Sequence, residues 1–192
     1  MTIGKPTLDG RHVRLEPLQE RHREPVRPAA QHPGIFTVTT SAYGPLYDPY
    51  IDTALKRSDG ERELAFAVFD KRLGRYVGMT RYLNIEAPHR KLEIGSTWYE
   101  PSVWSSPVNP ECKYLLMRHA FETLKFNRVE YKTDVRNARS RAAILKLGAR
   151  QEGILRKHMV MADGHVRDSV YFSVVDDEWP AVKAGLEKRI GA

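Results

Sequence analysis

Between Lys91 and Asn109 an apolar, β-prone run (Leu92, Ile94, Thr97, Trp98, Tyr99) empties into a loop, and the residues that follow predict a helix starting at Pro110. A strand, a loop and a helix in that order make an anion site. Asn109 suits the helix cap, Pro110 lacks an amide that would be orphaned in the first turn, and the exposed amides behind it attract phosphate. The loop itself, Val103-Trp104-Ser105-Ser106-Pro107-Val108, contains no glycine. Phosphate cradles commonly use glycine so that backbone N–H groups can close on oxygen, and Pro107 donates nothing.

Other chemistry-bearing residue types are less organised. Cys112 is the only cysteine, and on the apolar face of a helix it reads as packing rather than as a nucleophile. The seven histidines show no metal-ligand spacing with a second cysteine or a carboxylate cluster, so no metal is expected.

The elements that must position these residues alternate between strand and helix. Val13 and Leu15 alternate with charged neighbours over 12–18, as on a half-buried strand, and 19–27 is polar and helix-like. The stretch 28–49 is rich in Pro, Gly, Thr and Tyr and reads as a mobile, substrate-side region. Asp48 and Pro49 then start a helix through Lys56. The runs 64–69 and 76–83 form a hairpin around Gly74, and 91–99 supplies a fourth strand. Past the loop, Cys112, Leu115, Leu116, His119, Ala120, Thr123 and Leu124 mark one buried helical face that should lie on the sheet. Val129, Tyr131 and Thr133 make a strand, Asn137 opens a second helix and Gly148 closes it. The runs 153–161 and 165–175 pair around Ala162-Asp163-Gly164, and 176–190 is an amphipathic end.

Composition narrows the class. A length of 192 residues suits one domain, 1–192, and 41% hydrophobic with 29% charged residues is the balance of a soluble globular protein. No apolar run is long enough to span a bilayer, no secretion signal is visible, and the lone cysteine has no disulfide partner; these point to the cytoplasm. The net charge of +7 comes from scattered basic residues interleaved with Asp and Glu, which argues against nucleic acid as a partner.

Several short stretches carry a resemblance when taken in order. They are Arg14-Leu15-Glu16-Pro17, Asn137-Ala138-Arg139-Ser140 leading to Lys146-Leu147-Gly148-Ala149, Glu152-Gly153-Ile154-Leu155-Arg156, Arg167-Asp168, Tyr171-Phe172-Ser173 and Glu178-Trp179-Pro180. Together they resemble the GNAT superfamily of N-acetyltransferases, and within it the RimJ/RimL-like branch, over nearly the whole chain. The resemblance implies an α/β (α+β) GNAT fold, a mixed, strongly bent central sheet of about seven strands flanked by helices. It also implies acetyl-CoA as cosubstrate, bound in a V-shaped opening between the central strands.

Acetyl transfer from a thioester to an amine needs a neutral amine, a polarised carbonyl and a proton for the departing thiolate. The resemblance puts the base at Glu93, acting directly or through water; a solvated Glu93 that merely alternates with Leu92 and Ile94 is the competing reading. It puts a bulge at Gly95, Ser96 and Thr97, with Gly95 permitting the distortion or simply tolerated at a close packing contact, and electrophilic backbone amides at Thr97, Trp98 and Tyr99. The pyrophosphate loop departs from the family pattern: Trp104 stands at a polar position, and Ser105 and Pro107 stand where glycines are usual. An altered cradle would use the Ser105 and Ser106 hydroxyls, the amides of Val108 and Asn109, and Lys113 one turn into the helix. Trp104 would stack on adenine or anchor the loop. Asn137 and Ser140 match cofactor-contacting positions, with Arg139 and Arg141 as phosphate partners, although a plain helix cap explains Asn137 equally well. Ile144 occupies the place where many relatives carry the tyrosine that protonates the thiolate.

The implied acceptor is a primary amine, on a protein N-terminus or a small molecule, read by 34–49 and 81–90. A basic site repels polyamines and draws an amine with a nearby carboxylate toward Arg81, Arg90 or Arg156. His158, with Arg156 and Lys157, would line the acceptor side, although a solvated strand face explains this run just as simply. Two other readings stay open: an acyl-CoA-binding module without turnover, and an RNA- or ribosome-associated protein suggested by charge alone. Contacts of a homodimer would fall on Tyr43, Tyr47, Tyr50 and the terminal helix.

Overall fold

In the computed structural model, residues 2–36, 44–161 and 163–191 are described. Tyr43, Ala162 and the central part of the 34–49 stretch, for which a dimer contact, a turn and acceptor recognition are expected, lie outside them.

The strands are β1 (Leu8–Asp9), β2 (Val13–Pro17), β3 (Leu64–Asp70), β4 (Arg75–Glu86), β5 (Lys91–Tyr99), β6 (Arg128–Asp134), β7 (Arg150–Val160) and β8 (Val166–Val175). They form one mixed sheet in the order β1-β2-β3-β4-β5-β6-β8-β7. Among the described residues there are eight strands rather than seven because Leu8 and Asp9 pair with Leu15 and Arg14, a two-residue edge too short to announce itself by alternation. The helices are α1 (Arg23–Val26), α2 (Tyr47–Arg57), α3 (Val108–Arg118), α4 (Ala138–Leu145) and α5 (Trp179–Ile190).

Two apolar layers sandwich the sheet. One face carries Val13, Leu15, Phe66, Tyr82, Leu92, Ile94, Val129, Tyr131 and Phe172 against α3 and α5, and the other carries Ala65, Ala67, Met79 and Trp98 against α1 and α2. Helix α3 is buried on every side from Pro110 to Met117, not on one face, because α5 and the turn before β2 enclose the flank away from the sheet. Tyr114 Oη donates to Glu187 on α5 at 3.0 Å. The Glu111 carboxylate takes the three successive amides of Arg11, His12 and Val13 at 2.7–2.8 Å. A Cβ at Gly10 would sit 2.7 Å from that carboxylate carbon, which is why glycine precedes the nest.

The centre of the sheet opens between β5 and β6. These parallel strands pair only at Lys91↔Arg128, Leu92↔Val129 and Glu93↔Glu130; beyond that point each continues without the other. A bulge in β5 accompanies the divergence: Met79 pairs with Trp98 and Arg81 with Gly95, so Ser96 and Thr97 together oppose Thr80. The residue that enters the left-handed region there is Ser96, at φ 45°, and not Gly95.

Candidate functional site

Glu93 is the last β5 residue paired to β6, and it is 2% exposed, so the solvated reading fails. Leu92 and Ile94 point into the α3 layer and turn Glu93 to the opposite face. Its Oε2 accepts from Asn84 Nδ2 at 3.0 Å and lies 3.3 Å from Lys132 Nζ. Its Oε1 accepts no hydrogen bond among the described residues and lies 3.0 Å from where a Gly95 Cβ would be. Gly95 therefore leaves room for the carboxylate rather than supplying the bulge torsion.

On the α3 face, Glu100 N donates to Val77 O on β4. Strand alternation then turns the Tyr99 amide and carbonyl away from β4, toward the opening. Trp104 Nε1 donates to that carbonyl at 3.0 Å, so the Trp104 side chain anchors the loop. The Trp98 backbone pairs with β4, and its indole lies on the other face, donating to Tyr50 Oη at 3.0 Å and packing edge-on to Phe36.

The loop delivers helix α3 earlier than its sequence predicts: Pro107, not Asn109, is the cap residue and Val108 the first helical position. Proline fixes its own φ near the helical value and so can begin the turn itself. Ser105 adopts φ 60°, the conformation that glycine would take at this place in a cradle. Ser106 Oγ donates to Val103 O at 2.6 Å and accepts from Val108 N at 3.3 Å, so the Val108 amide is engaged. The amides of Ser105 and Asn109 have no partner among the described residues and remain for an anion. Opposite, Asn137 caps α4 by accepting from Ser140 N at 3.0 Å. Arg139 lies over the Trp104 ring at 4.1 Å from its centroid, and Arg141 Nη1 reaches Val135 O at 3.3 Å. Trp104 thus ties Ser105, Ser106, Val108 and Asn109 to Asn137 and Ser140 across the opening.

Lys113 is not in the cradle. Its ammonium is buried against the sheet, 2.6 Å from Thr97 Oγ1 and 3.3 Å from Thr80 Oγ1, and burial pulls its pKa down to about 8. Burial pushes the neighbouring Cys112 thiol up to about 12, which keeps it protonated. Ile144 is buried.

Around Glu93 the sheet gathers polar groups, of which Asn84 and Lys132 are not singled out by the sequence. Asn84 and Lys132 hold its carboxylate, and Lys132 is legible only by alternation with Tyr131. Arg81, opposite Gly95, is 5% exposed, stacks on Tyr50 at 4.7 Å and lies 3.7 Å from Glu63. Arg167 on β8 is 9% exposed, and burial lowers its pKa against the opposing pull of Asp134 and Glu93. His158 Nδ1 is 3.0 Å from Ser169 Oγ, while Arg156 and Arg90 point outward. Tyr47 is fully buried, donating to Arg23 O at 2.6 Å, and offers nothing to a dimer. Among the described residues no three His, Cys, Asp or Glu side chains gather as a metal site, and no helix is long and apolar enough to cross a membrane.

Residues 12–150 match the family described as Acetyltransferase (GNAT) domain. A protein of Bacillus subtilis (strain 168) named as a ribosomal N-acetyltransferase, YdaF, is 32% identical over 110 residues, which cover 57% of this chain and 59% of that protein. The match therefore spans less than two thirds of that relative's length. A crystal structure of a GCN5-related N-acetyltransferase from Brucella melitensis superposes with a TM-score of 0.90 at 34% identity, over 97% of this chain and 86% of that one. A crystal structure named as an acetyltransferase from T. thermophilus gives 0.86 at 37% identity, over 97% and 98%.

Proposed function

We propose that this chain, which belongs to the GNAT acetyltransferase family, moves an acetyl group from acetyl-CoA to a primary amine, with Glu93 taking the amine proton directly or through water. One observation carries this reading: a buried carboxylate sits at the last paired position before β5 and β6 part, with one oxygen held by Asn84 and Lys132 and the other free. A general base must be fixed in place and keep one lone pair for the incoming proton, and that arrangement provides both.

Enzymes of this family use acetyl-CoA, and the opening fits such a group, since the outward-turned Tyr99 amide and the unpartnered Ser105 and Asn109 amides are donors awaiting acceptors. Acetyl-CoA supplies the activated acetyl group. Ser105, Asn109 and the start of α4 hold its phosphates, and the Tyr99 amide stabilises negative charge that develops on the carbonyl oxygen. Glu93 Oε1 removes the proton from the attacking amine. With Ile144 in the tyrosine's place, water returns a proton to the thiolate.

The acceptor is a protein N-terminus or a small amine; the name of the Bacillus subtilis relative favours the first. A second reading, an acyl-CoA-binding module without turnover, is favoured by Ile144 and by a loop that ends in Pro107. The test is a thermal melt with saturating acetyl-CoA, followed by an acceptor screen: a shift with transfer supports the enzyme, and a shift without transfer the module. At about a hundred times its dissociation constant a ligand adds roughly 2.7 kcal/mol, a shift of several degrees for a chain this size.

A further inference from the structure

Charged side chains on the Glu93 face of the sheet are paired almost throughout. Lys132 meets Glu93 at 3.3 Å, Arg136 Nη2 meets Asp134 at 3.0 Å, Arg128 meets Glu130 at 2.8 Å, and Arg81 has Glu63 at 3.7 Å. Arg167 is the exception. Among the described residues its guanidinium makes no hydrogen bond and no ion pair, and its Nε is sealed from solvent without a partner.

Its placement follows from the register. Asp134 pairs with Ser169, and Lys132 and Asp134 share a face of β6. Arg167, two residues before Ser169 on β8, therefore stands on the face where Lys132 reaches Glu93. Asp134, the carboxylate nearest along this path, is already occupied by Arg136 and by the Arg136 amide at 2.8 Å. Asp134 and Glu93 attract Arg167 through space, but among the described residues neither lies within ion-pair or hydrogen-bond distance of it. Buried donors left unpaired are costly, and an arginine fork matches a carboxylate by two parallel hydrogen bonds.

Resting on the acetyltransferase reading above, we propose that the acceptor is an amine that also carries a carboxylate, and that Arg167 receives that carboxylate while the amine faces Glu93. The carboxylate supplies the hydrogen-bonded partner that the Arg167 guanidinium lacks among the described residues; Arg81 Nε is also sealed without a partner, but its guanidinium already has Glu63 at 3.7 Å. Two sources share this chemistry: a small amino acid, and a peptide N-terminus with an acidic residue next to it.

The experiment compares acetylation of two matched pairs at saturating acetyl-CoA, 4-aminobutyrate against 4-aminobutanamide, and the peptide Ala-Asp-Ala against Ala-Asn-Ala, both amidated at the C-terminus. In at least one pair the acid is expected to lead in kcat/KM by roughly tenfold or more, because a site built to pair a polar group rejects the analogue lacking it. The leading pair identifies the source. Arg167→Gln should bring that ratio to near one without changing the thermal shift given by acetyl-CoA, and Arg167→Met, which keeps the buried length, should do the same. A ratio near one in the unaltered protein, or a preference that survives both substitutions, overturns this inference alone. No transfer to any of the four despite a normal acetyl-CoA shift overturns it as well, and the wider acceptor screen then separates an enzyme with another acceptor from the module. No acetyl-CoA shift in the unaltered protein removes the enzyme reading and this inference with it.

Discussion

The Arg139 guanidinium lies over the face of Trp104, 4.1 Å from the ring centroid, while the indole N–H of Trp104 holds the Tyr99 carbonyl at 3.0 Å. This stack joins the loop before α3 to the first turn of α4, so one aromatic side chain contacts both sides of the β5–β6 opening.

Removing either half of the stack should loosen the cosubstrate site. Arg139→Ala is expected to raise the acetyl-CoA Kd by about two- to fivefold, the value of an exposed cation–π contact of roughly 0.5–1 kcal/mol. Trp104→Ala also frees the Tyr99 carbonyl and should cost more. Calorimetric titration with acetyl-CoA checks both; a Trp104→Ala protein that binds as tightly as the parent would show that the loop needs no anchor.

Glu93→Gln keeps the shape and an acceptor for Asn84 but cannot take a proton. Transfer is expected to fall by about 10²–10³, with acetyl-CoA binding retained. Gly95→Ala tests the same carboxylate indirectly, because the added Cβ would lie 3.0 Å from Glu93 Oε1 and 2.9 Å from Leu83 Cδ1. It should lower kcat through a displaced Oε1 and leave the acetyl-CoA thermal shift intact. A kcat unchanged in both variants would exclude Glu93 as the base.

Glu111 is expected to be the costliest single polar residue to lose. Its two oxygens receive three backbone amides, and hydrogen bonds to a charged group contribute about 1.5–3 kcal/mol each. Glu111→Gln must present an amide N–H to at least one of those donors and should cost roughly 2–4 kcal/mol, read as a fall in Tm of about 5–15 °C.

Lys113 sets a pH dependence of stability. Its folded pKa of about 8 lies below the ordinary lysine value of 10.5, so the unfolded chain binds more protons across that window and stability rises with pH. Between pH 8 and 10 the rise should be about 2 kcal/mol. Lys113→Met removes it, and the difference between the two proteins in urea melts isolates it. Above pH 10 the trend reverses: burial raises the Tyr82, Tyr99 and Tyr131 pKa values, and their stabilising preference for the protonated form fades as the unfolded tyrosines ionise.

Periodicity and turn chemistry were enough to locate the elements. The β5 bounds, 91–99, match the sequence reading, as does the Asn137 start of α4, because strong alternation and a capping side chain are local signals. The α3 start shifted by two residues because either proline there can open a helix, and choosing between Pro107 and Pro110 depends on Ser106 folding back to Val103. Glu93 was readable as a candidate and not as a buried one. The surroundings of Arg167 and Lys132 were not readable, since a basic residue alternating along a strand looks the same whether it faces water or a carboxylate from another strand.

The order of strands and helices, the family pattern, and the presence of a carboxylate ahead of a glycine-free loop are all carried by residues close together in the chain. The folded arrangement alone settles which face of the sheet Glu93 occupies, that Lys113 is engaged by Thr97 and Thr80, and that Arg167 lies buried with no ion pair or hydrogen bond among the described residues. Those outcomes depend on strand register and on burial across distant segments. A charge costs little in water and much in a low-dielectric interior, and no local stretch of sequence records which of the two surrounds it.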